Sequence, residues 1–397
     1  MKRVKMPKVL RRSFRKVEAR MSNAIGIIYA NNAADSLQGL ALERPIAAVP
    51  FGGRYRILDF ALSSMVNSGM RTIGLVTPHH YRPLLDHLGA GKAWFLDRKD
   101  GGLFILPGVF HGLGGNNHTF CIKDLQNNIE YLEKDFAENV IISSGEQIFN
   151  INFKSALEFH NNKHADVTLI YKDTNESDNL TDEMFFEIDK DYKVSEVKVK
   201  VKDTTDLKKA KPLRSYFVNI LIIRRELLLG IIEKYSSFGC VDLIDILTAN
   251  LEVLKIYGNP TCSLIGKIRT LKDYFDRSMD LLSLEIRGKL WLGEDRIHTK
   301  LKDNPPTQYA SKAKVSNSLI ASGCSIAGEV VNSIIFRGVI LEQGCQIRNS
   351  ILLPKCHIHA HAQTDYAILD KSVTVNGENI LKGSSTNPLV VLKKTVI

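Results

Sequence analysis

No apolar run in these 397 residues approaches the roughly 18 that a membrane-spanning helix needs, so none is expected. No apolar h-region follows the basic N-terminus, so a secretory signal is not expected. The six cysteines, Cys121, Cys240, Cys262, Cys324, Cys345 and Cys356, never form a C-x-x-C pair. That argues against a zinc site or a disulfide frame. They read instead as reduced, small, buried side chains of a cytoplasmic protein. With 44% hydrophobic and 24% charged residues, the chain is neither disordered nor collagen-like.

The net charge of +10 invites a nucleic-acid reading, and its distribution removes it. Residues 1–20 hold nine Lys or Arg against one acid, Glu18, whereas the other 377 residues hold 44 bases and 42 acids. The folded body is near neutral, so neither nucleic acid nor membrane is expected as a partner. Residues 1–22 read as a basic extension with three open origins. It is an arm for an anionic partner, an Arg-rich targeting segment, or a stretch lying upstream of a start at Met21.

The length points to two domains, and the hydrophobic periodicity changes once. Ala24–Tyr29, Thr72–Val76, Asn139–Ile142, Asp166–Tyr171 and Tyr216–Ile223 read as buried strands. Amphipathic stretches lie between them, at Arg54–Asn67, Asn128–Phe136, Phe153–His160 and Arg225–Tyr235. Alternation of this kind predicts an α/β domain over residues 23–291 with a largely parallel sheet. Its ligand crevice should lie at the carboxyl ends of the strands.

Residues 292–312, with Pro305-Pro306, read as a linker. Beyond it, units starting at Asn317, Asn332, Asn349 and Tyr366 recur 15, 17 and 17 residues apart, with aliphatic residues at about six-residue spacing inside each. This is the pattern of a parallel β-helix of hexapeptide repeats, expected over residues 313–397. The terminal run Pro388–Ile397 either caps the stack or joins an interface. His357, His359 and His361 alternate along one strand face, and solvated surface side chains are the expectation. A β-helix acyltransferase using one of them as general base is the competing reading.

Arg44–Asp59 reads RPIAAVPFGGRYRILD, and Asn67-Ser68-Gly69, Trp94–Arg98, Gly101-Gly102 and Ile105-Leu106-Pro107 follow. These residues resemble the bacterial ADP-glucose pyrophosphorylases (glucose-1-phosphate adenylyltransferases), from Asn23 to the C-terminus. The resemblance implies a Rossmann-like nucleotidyltransferase domain followed by a left-handed β-helix. It also implies a reaction joining glucose 1-phosphate to the α-phosphate of ATP, with release of pyrophosphate, in glycogen synthesis. That chemistry needs backbone N–H groups around the triphosphate, a cation on the leaving group and carboxylates on Mg²⁺.

This sequence departs from the family at each point. The family's glycine-rich loop reads Asn31–Leu37 here and contains no glycine, with Ser36 where the family has its catalytic Arg. One metal Asp is replaced by Glu146, a methylene longer than a strict octahedral ion tolerates. The other aligns with Lys267, whose charge repels Mg²⁺. The sugar-phosphate lysine of the family matches Lys200, although an exposed strand residue is the simpler reading there. Phe217 and Asn219 stand where the family has Ser and Gly facing glucose.

The joint loss is similar to the GlgD-type, non-catalytic members of that family. The chain is therefore expected to be inactive or very weak alone, to need no cofactor itself, and to modulate a GlgC-type catalytic partner that uses Mg²⁺. A hetero-oligomer, a tetramer by resemblance, is implied. Arg44 and Arg56 match basic positions of the family's effector region, while Glu43 and Ile46 stand where lysines are common. The alternative is a catalytically active sugar-phosphate nucleotidyltransferase with an atypical phosphate loop, resting on Glu146 and Lys200.

Overall fold

A computed structural model describes residues 23–31, 37–77, 80–109, 119–174, 183–200, 215–291, 293 and 295–397. The basic extension and Ser36 lie outside them. The sheet of the first domain is built on Ala24–Tyr29, which pairs in parallel with Thr72–Thr77 on one side and Asn139–Ser144 on the other. Gly102–Pro107 continues the parallel half beyond Thr72–Thr77. All six residues of Ala24–Tyr29 are buried, as a strand covered on both faces requires.

The other half departs from the expected largely parallel sheet. Ser215–Arg224 runs antiparallel to Asn139–Ser144, to Val167–Asp173 and to Glu183–Ile188. Glu183–Ile188 and Val194–Lys200 form a hairpin, a local connection that makes the pair antiparallel. The expected helix at Arg54–Asn67 also shortens. Pro50–Phe51 and Tyr55–Arg56 form a small antiparallel ribbon turned by Gly52 and Gly53, at φ of +57° and +81°, and the helix is Leu58–Asn67. Two glycines in left-handed conformation stop a helix from starting earlier.

The second domain is a stack of three five-stranded parallel sheets. Its first strand, Gln308–Tyr309, lies within the stretch expected as linker and pairs with Ser325–Ile326. The repeat has a visible cause. Asn317, Asn332, Asn349 and Tyr366 turn its corners at φ of +40°, +48°, +44° and +47°. Asn tolerates that region better than other residues with a Cβ, which accounts for three of the four. Their amides form a ladder, Asn317 Nδ2 to Asn332 Oδ1 at 2.8 Å and Asn349 Nδ2 to Asp365 Oδ1 at 2.9 Å. The serine after each Asn adds a second ladder: Ser350 N donates to Ser333 Oγ, and Ala367 N to Ser350 Oγ, at 3.1 and 3.2 Å. Leu389–Val391 completes one sheet beside Ala367–Leu369, so the terminal run closes the stack.

The two domains share an apolar core. Phe51, Phe60, Tyr274 and Phe275 pack in one cluster with Phe336, Ile351, Leu353 and Ile368 of the stack.

Candidate functional site

The carboxyl ends of the parallel strands, where a ligand crevice is expected, carry the candidate site residues. Asn139–Ser144 ends in Gly145-Glu146, and the chain returns as Gln147–Phe149. That strand pairs antiparallel with Ile265–Lys267, Gln147 opposite Lys267. Ile268 N donates to Glu146 O at 3.2 Å. The two positions expected to replace the metal carboxylates are thus brought together, although far apart in sequence. A capping box fixes the turn after Lys267. Asp273 N donates to Thr270 Oγ1 at 3.1 Å, and Thr270 N donates to Asp273 Oδ2 at 2.9 Å.

Lys267 does not face an open crevice. Its Nζ donates to Glu183 Oε2 at 2.5 Å and to Phe217 O at 2.7 Å, and it lies 5.5 Å from the Tyr216 ring centroid. Arg269 Nη1 approaches the other oxygen, Glu183 Oε1, at 3.3 Å. The Lys267 and Glu183 side chains are only 10% and 4% exposed. Burial lowers the Lys267 pKa, and Glu183 works against that shift. A buried carboxylate held by two cations is a closed ion cluster.

Nothing in the sequence singles out Glu183. It opens the strand Glu183–Ile188, and its register partner across the hairpin is Lys200, the candidate for the sugar phosphate. Phe217 is placed differently from the expectation. Its ring is buried against Phe186 with centroids 5.6 Å apart, and only its carbonyl reaches Lys267. Asn219 adopts φ of +54° at an irregularity of the ladder. An Asn can occupy a turn that otherwise favours glycine, so this substitution keeps the backbone shape.

The residues do not fit Mg²⁺. Glu146 is buried at 8% exposure, an ammonium occupies the second position, and Glu183 is committed to Lys267 and Arg269. An octahedral ion needs oxygen ligands and repels a neighbouring ammonium. Beyond the first strand, Val109 N donates to Asp124 Oδ1 at 2.6 Å and Asn31 Nδ2 to Asp124 Oδ2 at 3.2 Å. These bonds join the end of the first strand to the helix Ile122–Asn127.

The second candidate region lies between the domains. Arg44 is not open to a ligand there. Its Nη2 meets Asp370 Oδ1 of the stack at 2.7 Å, and its Nε donates to Leu40 O at 2.8 Å. Arg56 Nη1 donates to Ala48 O and Pro83 O at 2.9 and 3.1 Å, while Asp59 takes His87 Nε2 at 2.6 Å. Ile46 is buried and Glu43 pairs with Lys393 at 2.5 Å. Arg56 nevertheless lines a cavity of about 140 Å³ together with Arg54, Lys300, Lys302, Arg337 and Lys355. No described carboxylate lines it. Burial first, and then the neighbouring cations, lower the Lys302 pKa.

A nucleotidyltransferase-like sheet that carries a hexapeptide β-helix defines the class. The nucleotidyl transferase family profile matches residues 25–180, and that of the GlmU-like C-terminal hexapeptide matches residues 305–383. Glycogen biosynthesis protein GlgD of Geobacillus stearothermophilus is 32% identical over 372 residues, covering 94% of this chain and 96% of that protein. GlgD of Bacillus subtilis (strain 168) is 29% identical over the same coverage. Glucose-1-phosphate adenylyltransferase of Bacillus mycoides (strain KBAB4) is 29% identical over 380 residues, 94% of this chain and 98% of that enzyme. The chain belongs to the family that contains GlgD and the glucose-1-phosphate adenylyltransferases.

Proposed function

We propose that this chain is a non-catalytic subunit that regulates glucose-1-phosphate adenylyltransferase in bacterial glycogen synthesis. One observation carries the reading. A buried ion pair, Lys267–Glu183, occupies the position that the resemblance assigns to the family's second metal carboxylate. A site of this kind has no means of placing Mg²⁺ between phosphates. The partner is a catalytic, GlgC-type homologue that supplies Mg²⁺ and the chemistry, in a cytoplasmic hetero-oligomer of tetrameric form. Binding that favours the partner's active state shifts its population without any reaction in this chain. The basic cavity between the domains is the surface for a phosphorylated effector, with Arg56 as one of its cations.

The test is ADP-glucose formation from ATP, glucose 1-phosphate and Mg²⁺, with this chain alone, the catalytic homologue alone and the co-expressed pair. No activity alone, with a changed rate or effector dependence in the pair, is expected. Activity alone that Glu146→Ala abolishes would establish the opposite, a working enzyme with an atypical loop.

A further inference from the structure

The outer face of the β-helix carries a cluster that neither the family nor the crevice accounts for. Ile340–Leu341 pairs in parallel with His357–Ile358, which sets Glu342 one coil away from His359. Glu342 Oε1 lies 2.7 Å from His357 Nε2 and 3.0 Å from His359 Nδ1. Its other oxygen, Oε2, accepts from Ala360 N at 3.1 Å, so the carboxylate is held by the backbone with Oε1 turned to the rings. The two imidazoles are tilted by 34° to one another, with centroids 4.1 Å apart. Two nitrogens and one oxygen thus converge, each ligand atom within 4.8 Å of the others.

We propose that Glu342, His357 and His359 bind one divalent transition-metal ion of the zinc class, with solvent completing its coordination. The donor set selects the ion. Two imidazoles and one carboxylate suit Zn²⁺, Ni²⁺ or Cu²⁺ and disfavour Mg²⁺ and Ca²⁺, which take oxygen ligands. Two of the three ligand-atom separations are close to what is required, and the third, between the ring nitrogens, lies within 4.8 Å. Tetrahedral zinc with bonds near 2.05 Å places its ligand atoms about 3.3 Å apart. The observed 2.7 and 3.0 Å are hydrogen-bond lengths, and an outward shift of a few tenths of an ångström converts them. A nitrogen that binds the ion carries no proton, so in the bound state each ring bears its proton on the other nitrogen. The Ala360 N–H contact is the orienting bond that a ligating carboxylate needs.

Exposure sets the character of the site. The three side chains are between 34% and 37% exposed, so an ion is reached from solvent and keeps an open position. A buried, four-ligand structural site would be closed. His361 is not a ligand. It turns a corner at φ of +62°, and its ring covers Gly344, where an added Cβ would sit 2.5 Å from Nδ1. The ion would join Glu342 of one coil to His357 and His359 of the next, a clasp across two turns of the stack.

The experiment is calorimetric titration of the metal-stripped, full-length chain with zinc chloride, repeated with His359→Ala, Glu342→Gln and His361→Ala. One equivalent of zinc should bind to the parent chain and to His361→Ala. Binding should weaken at least tenfold in the other two. Cobalt(II) should give the intense visible absorption of a four-coordinate site in the parent chain only, and magnesium should show no heat. Circular dichroism verifies that each variant is folded, and Glu342→Gln retains the size of the side chain. Zinc binding that is absent from the parent chain, or equal in the parent chain, His359→Ala and Glu342→Gln, would overturn the assignment.

Discussion

At the scale of single residues, Lys267 and Glu183 decide how the crevice is read. Lys267 was legible because it stands just before Ile268-Arg269-Thr270 in a segment aligned by its neighbours. Glu183 was not, because it lies 84 residues earlier and only the fold joins them. The first position of an aromatic strand, Glu183-Met184-Phe185-Phe186, carries no local mark of an ion pair. The Lys267→Met variant leaves a carboxylate that is 4% exposed with Arg269 as its partner at 3.3 Å. Breaking a buried pair in this way costs about 3 kcal/mol or more. The double variant Lys267→Met, Glu183→Leu removes both charges and should recover most of the loss. Urea denaturation of the three chains measures it. A single variant as stable as the parent would mean that the cluster is open to water and does not close the crevice.

At the scale of elements, what was legible had a short period. Ala24–Tyr29 emerged with the bounds read from the sequence, since a continuous apolar run set between Asn23 and Asn31 has few alternatives. The β-helix was legible from repeats 15 and 17 residues apart, because each corner needs the same unusual backbone angle and the sequence meets it with Asn three times. The antiparallel half of the sheet was not legible. Pairing among Val167–Asp173, Glu183–Ile188 and Ser215–Arg224 is a choice of neighbours far apart in sequence, and a strand pattern does not encode direction. The corner angle can be tested at Asn349, where φ is +44°. Asn349→Ala puts a residue that tolerates the left-handed region poorly where Asn tolerates it well, and it removes the Asp365 contact, at a cost of about 1–2 kcal/mol. Asn349→Gly loses the contact but keeps the angle and should cost less. Thermal denaturation should rank Asn above Gly above Ala. Equal losses for Gly and Ala would put the whole effect on the amide ladder.

At the scale of the molecule, the cleft between the domains turns one sequence expectation into two different roles. Arg44 and Arg56 both match basic positions of the family's effector region. In the structure Arg44 is a strut, joined to Asp370 across 326 residues of chain, whereas Arg56 lines the cavity. Sequence proximity to the VPFGGRYRILD stretch could not separate them, because the difference depends on where the β-helix lands. The cavity concentrates Arg54, Arg56, Lys300, Lys302, Arg337 and Lys355 with no described carboxylate in its lining. Such a surface destabilises the apposed domains until an anion enters, and any ligand that binds only the folded state stabilises it by mass action. Sulfate or phosphate should therefore raise the melting temperature beyond chloride at equal ionic strength. At 100 times the dissociation constant the gain is about 2.7 kcal/mol. Lys302→Ala with Arg337→Ala should remove that anion-specific gain. Arg44→Ala should lower the melting temperature in chloride and sulfate alike, since its partner is Asp370. An anion response carried by Arg44 and untouched by Lys302 and Arg337 would move the effector surface out of this cavity.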